Sequence, residues 1–229
     1  MFSRAAFPGP AMAYRRAMSS RPAAGGGRWV EVDPGRVARW VEGFTDRHGP
    51  STTTVQEYGL LLTAPDDATA ELHTPPGASA SADVPGFVAS ATAARRIGLL
   101  LARKGAVAVG VADGADLVVS KVDTRYVQGR TAAGGWSQQR FARRRDNQAK
   151  AALGDAAELA VRLLLPEAGT LATLVCGGDR RAVDTVLADR RLAPLAALRA
   201  PRLLDVPEPR HAVLVAAVAA ARAVHILVR

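Results

Sequence analysis

The sequence predicts an α/β (α+β) domain with a mixed β-sheet flanked by helices. Three observations predict it. Short apolar runs end in turn residues, as at residues 106–112 before Asp113-Gly114, and read as strands joined in hairpins. Longer stretches repeat apolar residues three and four apart, as at Leu153, Ala156, Ala157, Ala160, Val161 and Leu164, which is one face of a helix. The order is hairpins first and strand–helix alternation later, which suits a layered domain.

In chain order, Asp33 is a good N-cap and Pro34 suits a first helical position. Val37, Trp40, Val41 and Phe44 then share a face, and Gly49-Pro50 stops the helix. Residues 53–63 read as a strand, Pro65-Asp66-Asp67 as a turn and 68–73 as the partner strand. Residues 74–86, rich in Pro, Ala, Ser and Gly, are expected to form a flexible loop. A helix is expected over 87–103, capped by Gly105, with the returning strand of the hairpin at 116–126. A long helix should start near Gln139 or Arg140 and run to about Leu165. Residues 171–176 read as a strand, 180–188 as a helix, 203–206 as a short strand and 209–226 as a buried Ala/Val-rich helix. Residues 1–27 are expected to be a disordered basic arm, and 28–229 one catalytic domain.

The 229 residues are 48% hydrophobic and 22% charged, enough to bury a core. The longest apolar stretch, residues 212–221, is too short to cross a bilayer and is followed by Arg222. Cys176 is the only cysteine, so neither an intrachain disulfide nor a cysteine zinc site can form; it reads as a small buried residue. His48, His73, His211 and His225 show no metal-ligand spacing, and no metal or cofactor is expected.

The formal charge is +9, and it is concentrated. Residues 125–150 hold Arg125, Arg130, Arg140, Arg143, Arg144, Arg145 and Lys150 against the single acid Asp146, a net +6. Arg140, Arg143 and Arg144 lie three and four apart, so a helix would present them on one face. Like charges so placed repel unless a partner neutralises them, and arginine grips phosphate bidentately. RNA is the polyanion this stripe suits; a merely solvated helix face is the blander alternative. Just upstream stands Gly134-Gly135-Trp136-Ser137-Gln138-Gln139. Paired glycines allow a backbone to pass through narrow spaces. Glutamine carries both a donor and an acceptor at neutral charge, so it can position a water without acting as a base.

The run from Gly134 to Asn147, Gly-Gly-Trp-Ser-Gln-Gln-Arg-Phe-Ala-Arg-Arg-Arg-Asp-Asn, resembles the catalytic loop and following helix of the Vms-like release factors, in their actinobacterial branch. Residues 104–111 and the strand end at 123–130 are similar to the same family. The resemblance implies a fold like the middle domain of the eukaryotic and archaeal peptide chain release factor, an RNase H-like layer. It also implies a cytoplasmic peptidyl-tRNA hydrolase that frees nascent chains on stalled large ribosomal subunits. Its partners would be rRNA and peptidyl-tRNA, with no DNA, no membrane and no cofactor, and the protein would be a monomer. By position Gln138 is the family's catalytic glutamine, within a site of Gly134, Gly135, Ser137, Gln138 and Gln139. Gln139 is the alternative if Trp136 shifts the register, because the general release-factor signature is Gly-Gly-Gln and this chain inserts Trp136 and Ser137. The cations from Arg125 to Lys150 would bind RNA.

Three rivals stay open on sequence grounds. A metal-dependent nuclease would need several carboxylates at one place, and Asp113, Asp116 and Asp123 are the nearby acids. The loop could instead promote cleavage of the tRNA 3′ end. A non-catalytic RNA-binding module would use the basic segment alone.

Overall fold

The computed structural model describes residues 20–103, 105–124 and 153–229, which build two β-sheets with helices packed on them. The first sheet is antiparallel throughout, in the order β1-β2-β11-β5-β4-β3. Its strands are β1 (Ser20–Pro22), β2 (Arg28–Val32), β3 (Thr52–Gln56), β4 (Gly59–Thr63), β5 (Thr69–His73) and β11 (Val224–Val228). Two helices cover one face: α1 (Val37–His48) and α2 (Val84–Thr92). Asp33 does cap, but what it starts is a 3-10 turn, Pro34–Arg36, that runs into α1. Phe44 and Phe87 from the two helices sit fully inside a core with Leu60, Leu62, Leu72 and Ile226. Burying rings of this size dominates such a core.

The second sheet is mixed, in the order β10-β9-β6-β7-β8. Its strands are β6 (Arg96–Arg103), β7 (Ala106–Asp113), β8 (Asp116–Thr124), β9 (Thr173–Gly178) and β10 (Arg199–Leu204). β6, β7 and β8 form an antiparallel meander, while β9 runs parallel to β6 and to β10. Helix α3 (residues 153–163 of the described chain), α4 (Arg180–Leu187) and α5 (Ala193–Ala197) cover one face. Helix α6 (His211–Arg222) covers the other through Leu214, Ala217, Val218 and Ala221, the i, i+3, i+4, i+7 spacing of a single helix face. β6 is buried on both sides. Leu100 and Ala102 face the α3 side, and Ile97, Leu99 and Leu101 face α6.

The expected mixed sheet flanked by helices is therefore present, beside an antiparallel sheet that the sequence reading had not separated from it. Several element assignments change. The helix expected over 87–103 is α2 followed by β6, because Ile97–Leu101 is a continuous apolar run that fits a strand buried on both faces. The strand expected over 53–63 is two strands, folded at Glu57-Tyr58. The helix expected over 209–226 stops at Arg222. Val224, Ile226 and Val228 then alternate as β11, which lies between β2 and β5 at the centre of the first sheet. Within the stretch expected to be a basic arm, Ser20–Pro22 pairs with Arg28–Val30.

The first sheet carries a polar cluster away from α1 and α2. His73 and His225 are register partners, with the Trp29 ring edge-on to His73 at 4.9 Å and Tyr58 stacked on it at 4.6 Å. Burial holds both imidazoles below the usual histidine range, His225 down to about 3, with Arg202 adding repulsion. Glu31 lies 3.6 Å from His225, too far for a hydrogen bond to offset that burial. The folded-state values are lower than the unfolded ones, so the unfolded chain takes up protons first as pH falls. This contribution is present above about pH 6.5 and is lost as pH drops through the window below it. Thermal stability is expected to fall between pH 6.5 and 4.5, and more shallowly in His225→Gln; equal slopes by calorimetry would refute the histidine origin.

One glycine is required by geometry. Gly178 ends β9 with φ +93°, and a Cβ there would sit 2.4 Å from the Ala102 carbonyl oxygen. Gly178→Ala should cost about 1–3 kcal/mol in urea unfolding. Gly154→Ala, on α3 with nothing within 4 Å of the new methyl, should cost nothing.

Candidate functional site

The residues singled out by the sequence lie in one connection. Gly134, Gly135, Ser137, Gln138 and Gln139, with Arg125, Arg130, Arg140, Arg143, Arg144, Arg145 and Lys150, all fall outside the described residues. What the structure describes is the frame from which that connection leaves and to which it returns.

The connection leaves from the end of β8, where Thr124 pairs with Ala106, next to the end of β6. At this same end of the sheet stand the ends of β9 and β10, since Ala102 pairs with Gly178 and Gly177 with Leu204. The carboxyl ends of all three parallel strands thus lie at the same end of the sheet as the end of β8. In open α/β sheets this is where ligands bind. The return is through α3. Beyond α3, Glu167 pairs with Arg96 at 2.6 Å, at the opposite end of the sheet. The eleven described residues of α3 rise about 16 Å at 1.5 Å each, so its first described turn lies back toward the end where β8 finishes.

Of the two anchors, α3 is the well-packed one, and β8 is the edge strand of its sheet. α3 buries Ala156, Leu159 and Ala160 against β6, β7 and β9. Its outer face is tied by Arg191, which binds Glu158 at 2.6 Å and Asp189 at 2.7 Å. That guanidinium holds the Asp189 carboxyl down to about 2. The pair is exposed to solvent, so it orients α3 more than it stabilises the fold. At the frame itself, the Arg103 guanidinium donates to the Val206 carbonyl at 2.6 Å. The Asp179 amide donates to the Ala102 carbonyl at 2.8 Å, and the Asp179 carboxylate accepts from the Arg181 amide and so caps α4.

Arg180 and Arg181, exposed at the start of α4, add cations at this end of the sheet. Sequence reasoning passed over them as ordinary helix residues. The available signal was an apolar strand followed at once by Gly177-Gly178-Asp179-Arg180-Arg181.

The three carboxylates of the nuclease alternative do not converge. Asp113 pairs with Asp116 at one end of the β7–β8 hairpin, whereas Asp123 pairs with Val107 near the other. Six residues of strand separate Asp113 from Val107, about 20 Å at 3.4 Å per residue. Among the described residues no three His, Cys, Asp or Glu side chains come together as a metal site. Cys176 is fully buried, and burial pushes its thiol up to about 11, which suits packing and not nucleophilic attack. No helix among the described residues is long and apolar enough to cross a membrane.

No curated protein matches the chain. Among solved structures, an archaeal protein is similar at 18% identity and a TM-score of 0.35, over 67% of this chain and 47% of its own. The crystal structure of the archaeal translation termination factor aRF1 is similar at 17% identity and a TM-score of 0.34, over 78% of this chain and 59% of its own. The chain thus spans about half to three fifths of the length of these two structures. Residues 95–227, more than half of the chain, match the family described as Actinobacteria/chloroflexi VLRF1 release factor. That span runs from the start of β6 to β11 and contains the glycine–glutamine connection; the chain belongs to this release-factor family.

Proposed function

We propose that this protein is a peptidyl-tRNA hydrolase that frees nascent chains from stalled large ribosomal subunits in the cytoplasm, acting as a monomer. The observation that carries the reading is the release-factor family match across residues 95–227, which includes Gly134 to Gln139. Two features support it. The net +6 of residues 125–150 suits RNA phosphates. At a single sheet end the frame supplies the end of β8 and the well-packed α3, and Arg180 and Arg181 stand at that same end. A fold like the release-factor middle domain is part of the same reading.

The substrate bond is the ester between the peptide and the terminal ribose of tRNA. Hydrolysis needs an oriented water and stabilisation of a developing oxyanion. Gln138 accepts from and donates to that water through its neutral amide, and Gln139 is its alternative. Gly134 and Gly135 let the backbone approach the ester, and Ser137 precedes the glutamine without a local His–acid pair to make it a nucleophile. Arg125, Arg130, Arg140, Arg143, Arg144, Arg145 and Lys150 bind rRNA and tRNA and hold the loop in place. The ribosome's RNA completes the cavity, and no metal or cofactor takes part.

In a release assay on large-subunit–peptidyl-tRNA complexes, Gln138→Ala should lose peptide release by about a hundredfold or more, the scale of removing one key polar group from a transition state. Subunit binding should be retained, and Gln139→Ala should remain active. Activity in Gln138→Ala with loss in Gln139→Ala would move the role by one residue. Activity in both would refute the glutamine mechanism.

A further inference from the structure

A second cationic surface lies outside the span matched to the family. Arg28, at the start of β2, Arg36, just before α1, and Arg39 and Arg47, on α1, line one groove together with Trp40 and Gly43. All four arginines are exposed, and none has an ion pair or side-chain hydrogen bond among the described residues. The carboxylates of Glu31 and Asp33 also line the groove, so its four arginines exceed its acids by two.

The arrangement on α1 is regular. Positions 36, 39/40, 43 and 47 follow the spacing of one helical face. Arg36 and Arg39 lie three apart, a like-charge spacing that an opposite charge alongside would relieve. Gly43 adds an independent argument. Glycine is the poorest helix former after proline, yet it stands inside α1. Packing does not require it, because a Cβ there would meet only the Arg47 Nη1 atom, at 3.7 Å. What its missing side chain leaves is open floor between Arg39 and Arg47, where another backbone can come close. Trp40, half-buried, is held parallel to Phe44 with ring centres 5.8 Å apart, so its place beside that floor is set.

We propose that this groove binds an RNA strand, with Arg28, Arg36, Arg39 and Arg47 on its phosphates and Trp40 offering a surface for a base. From Arg36 to Arg47 the stripe is about 16 Å long, enough to follow more than one phosphate of a strand. An elongated groove with an aromatic ring partway along suits a strand better than a flat lipid surface. The choice of RNA among polyanions rests on the release-factor family; the binding does not depend on the chemistry assigned to Gln138.

The test is fluorescence anisotropy of the full chain with a labelled single-stranded polyuridine RNA across a salt series. Arg39→Glu/Arg47→Glu should weaken binding at least fivefold and make the salt dependence shallower by about 1.4, from two phosphate contacts at about 0.7 each. Arg162→Glu/Arg190→Glu, with the same net charge at exposed positions outside the groove, should change it less than twofold. Gly43→Gln should weaken RNA binding while leaving the melting temperature unchanged or higher, which separates occlusion from unfolding. Equal losses in the groove and control pairs would overturn the proposal, as would unchanged affinity in Gly43→Gln. So would binding to phosphatidylserine vesicles that the groove pair abolishes while RNA binding persists.

Discussion

The parallel pairing of β6 with β9, from Ile97 opposite Thr173 to Ala102 opposite Gly178, is the constraint on which the second sheet depends. Two parallel neighbours cannot be joined by a tight turn; the chain must cross from one end of the sheet to the other. Here the crossing runs through β7 and β8, then the glycine–glutamine connection, then α3. Because β6 is buried on both faces, α3 and α4 must cover one side and α6 the other. The same pairing puts the ends of β6, β9 and β10 at the end of the sheet where β8, its far edge strand, also finishes. A connection leaving β8 therefore starts where a parallel sheet gathers its strand ends.

Much of this was legible where the signal is local. Asp33-Pro34 marks the start of the α1 region, and Asp113-Gly114 marks the β7–β8 hairpin, because caps and turns are decided by a few adjacent residues. Ile97–Leu101 was misread because an apolar run buried on all sides has no periodicity to separate strand from helix. Val224–Val228 was misread for a different reason. It follows the Ala-rich α6 with neither glycine nor proline between, and its partners, Arg28–Val32 and Thr69–His73, come from far earlier in the chain. Nothing local announces that a final segment will become the centre of the first sheet.

The candidate site divides along the same line. Its glutamines, glycines and cations are conspicuous in the sequence because composition changes abruptly at residues 125–150. Its frame is not, since Arg103, Gly178 and Arg181 come to the sheet end where β8 finishes only through the parallel register. The groove of Arg36, Arg39 and Arg47 is intermediate. Its helical spacing is present in the sequence, but the groove with Arg28 and the open floor at Gly43 are properties of the fold. The described cations thus accompany both sheets, Arg180 and Arg181 just after β9 and the groove arginines on β2 and around α1.

The central claim concerns which bond breaks. It is tested most directly by running peptide release in water enriched in heavy oxygen and weighing the freed peptide. Ester hydrolysis predicts a peptide with a free carboxyl group that has gained one oxygen from solvent, and a tRNA that keeps its terminal adenosine. A freed peptide still joined to a nucleoside or nucleotide, with the tRNA shortened, would contradict the account.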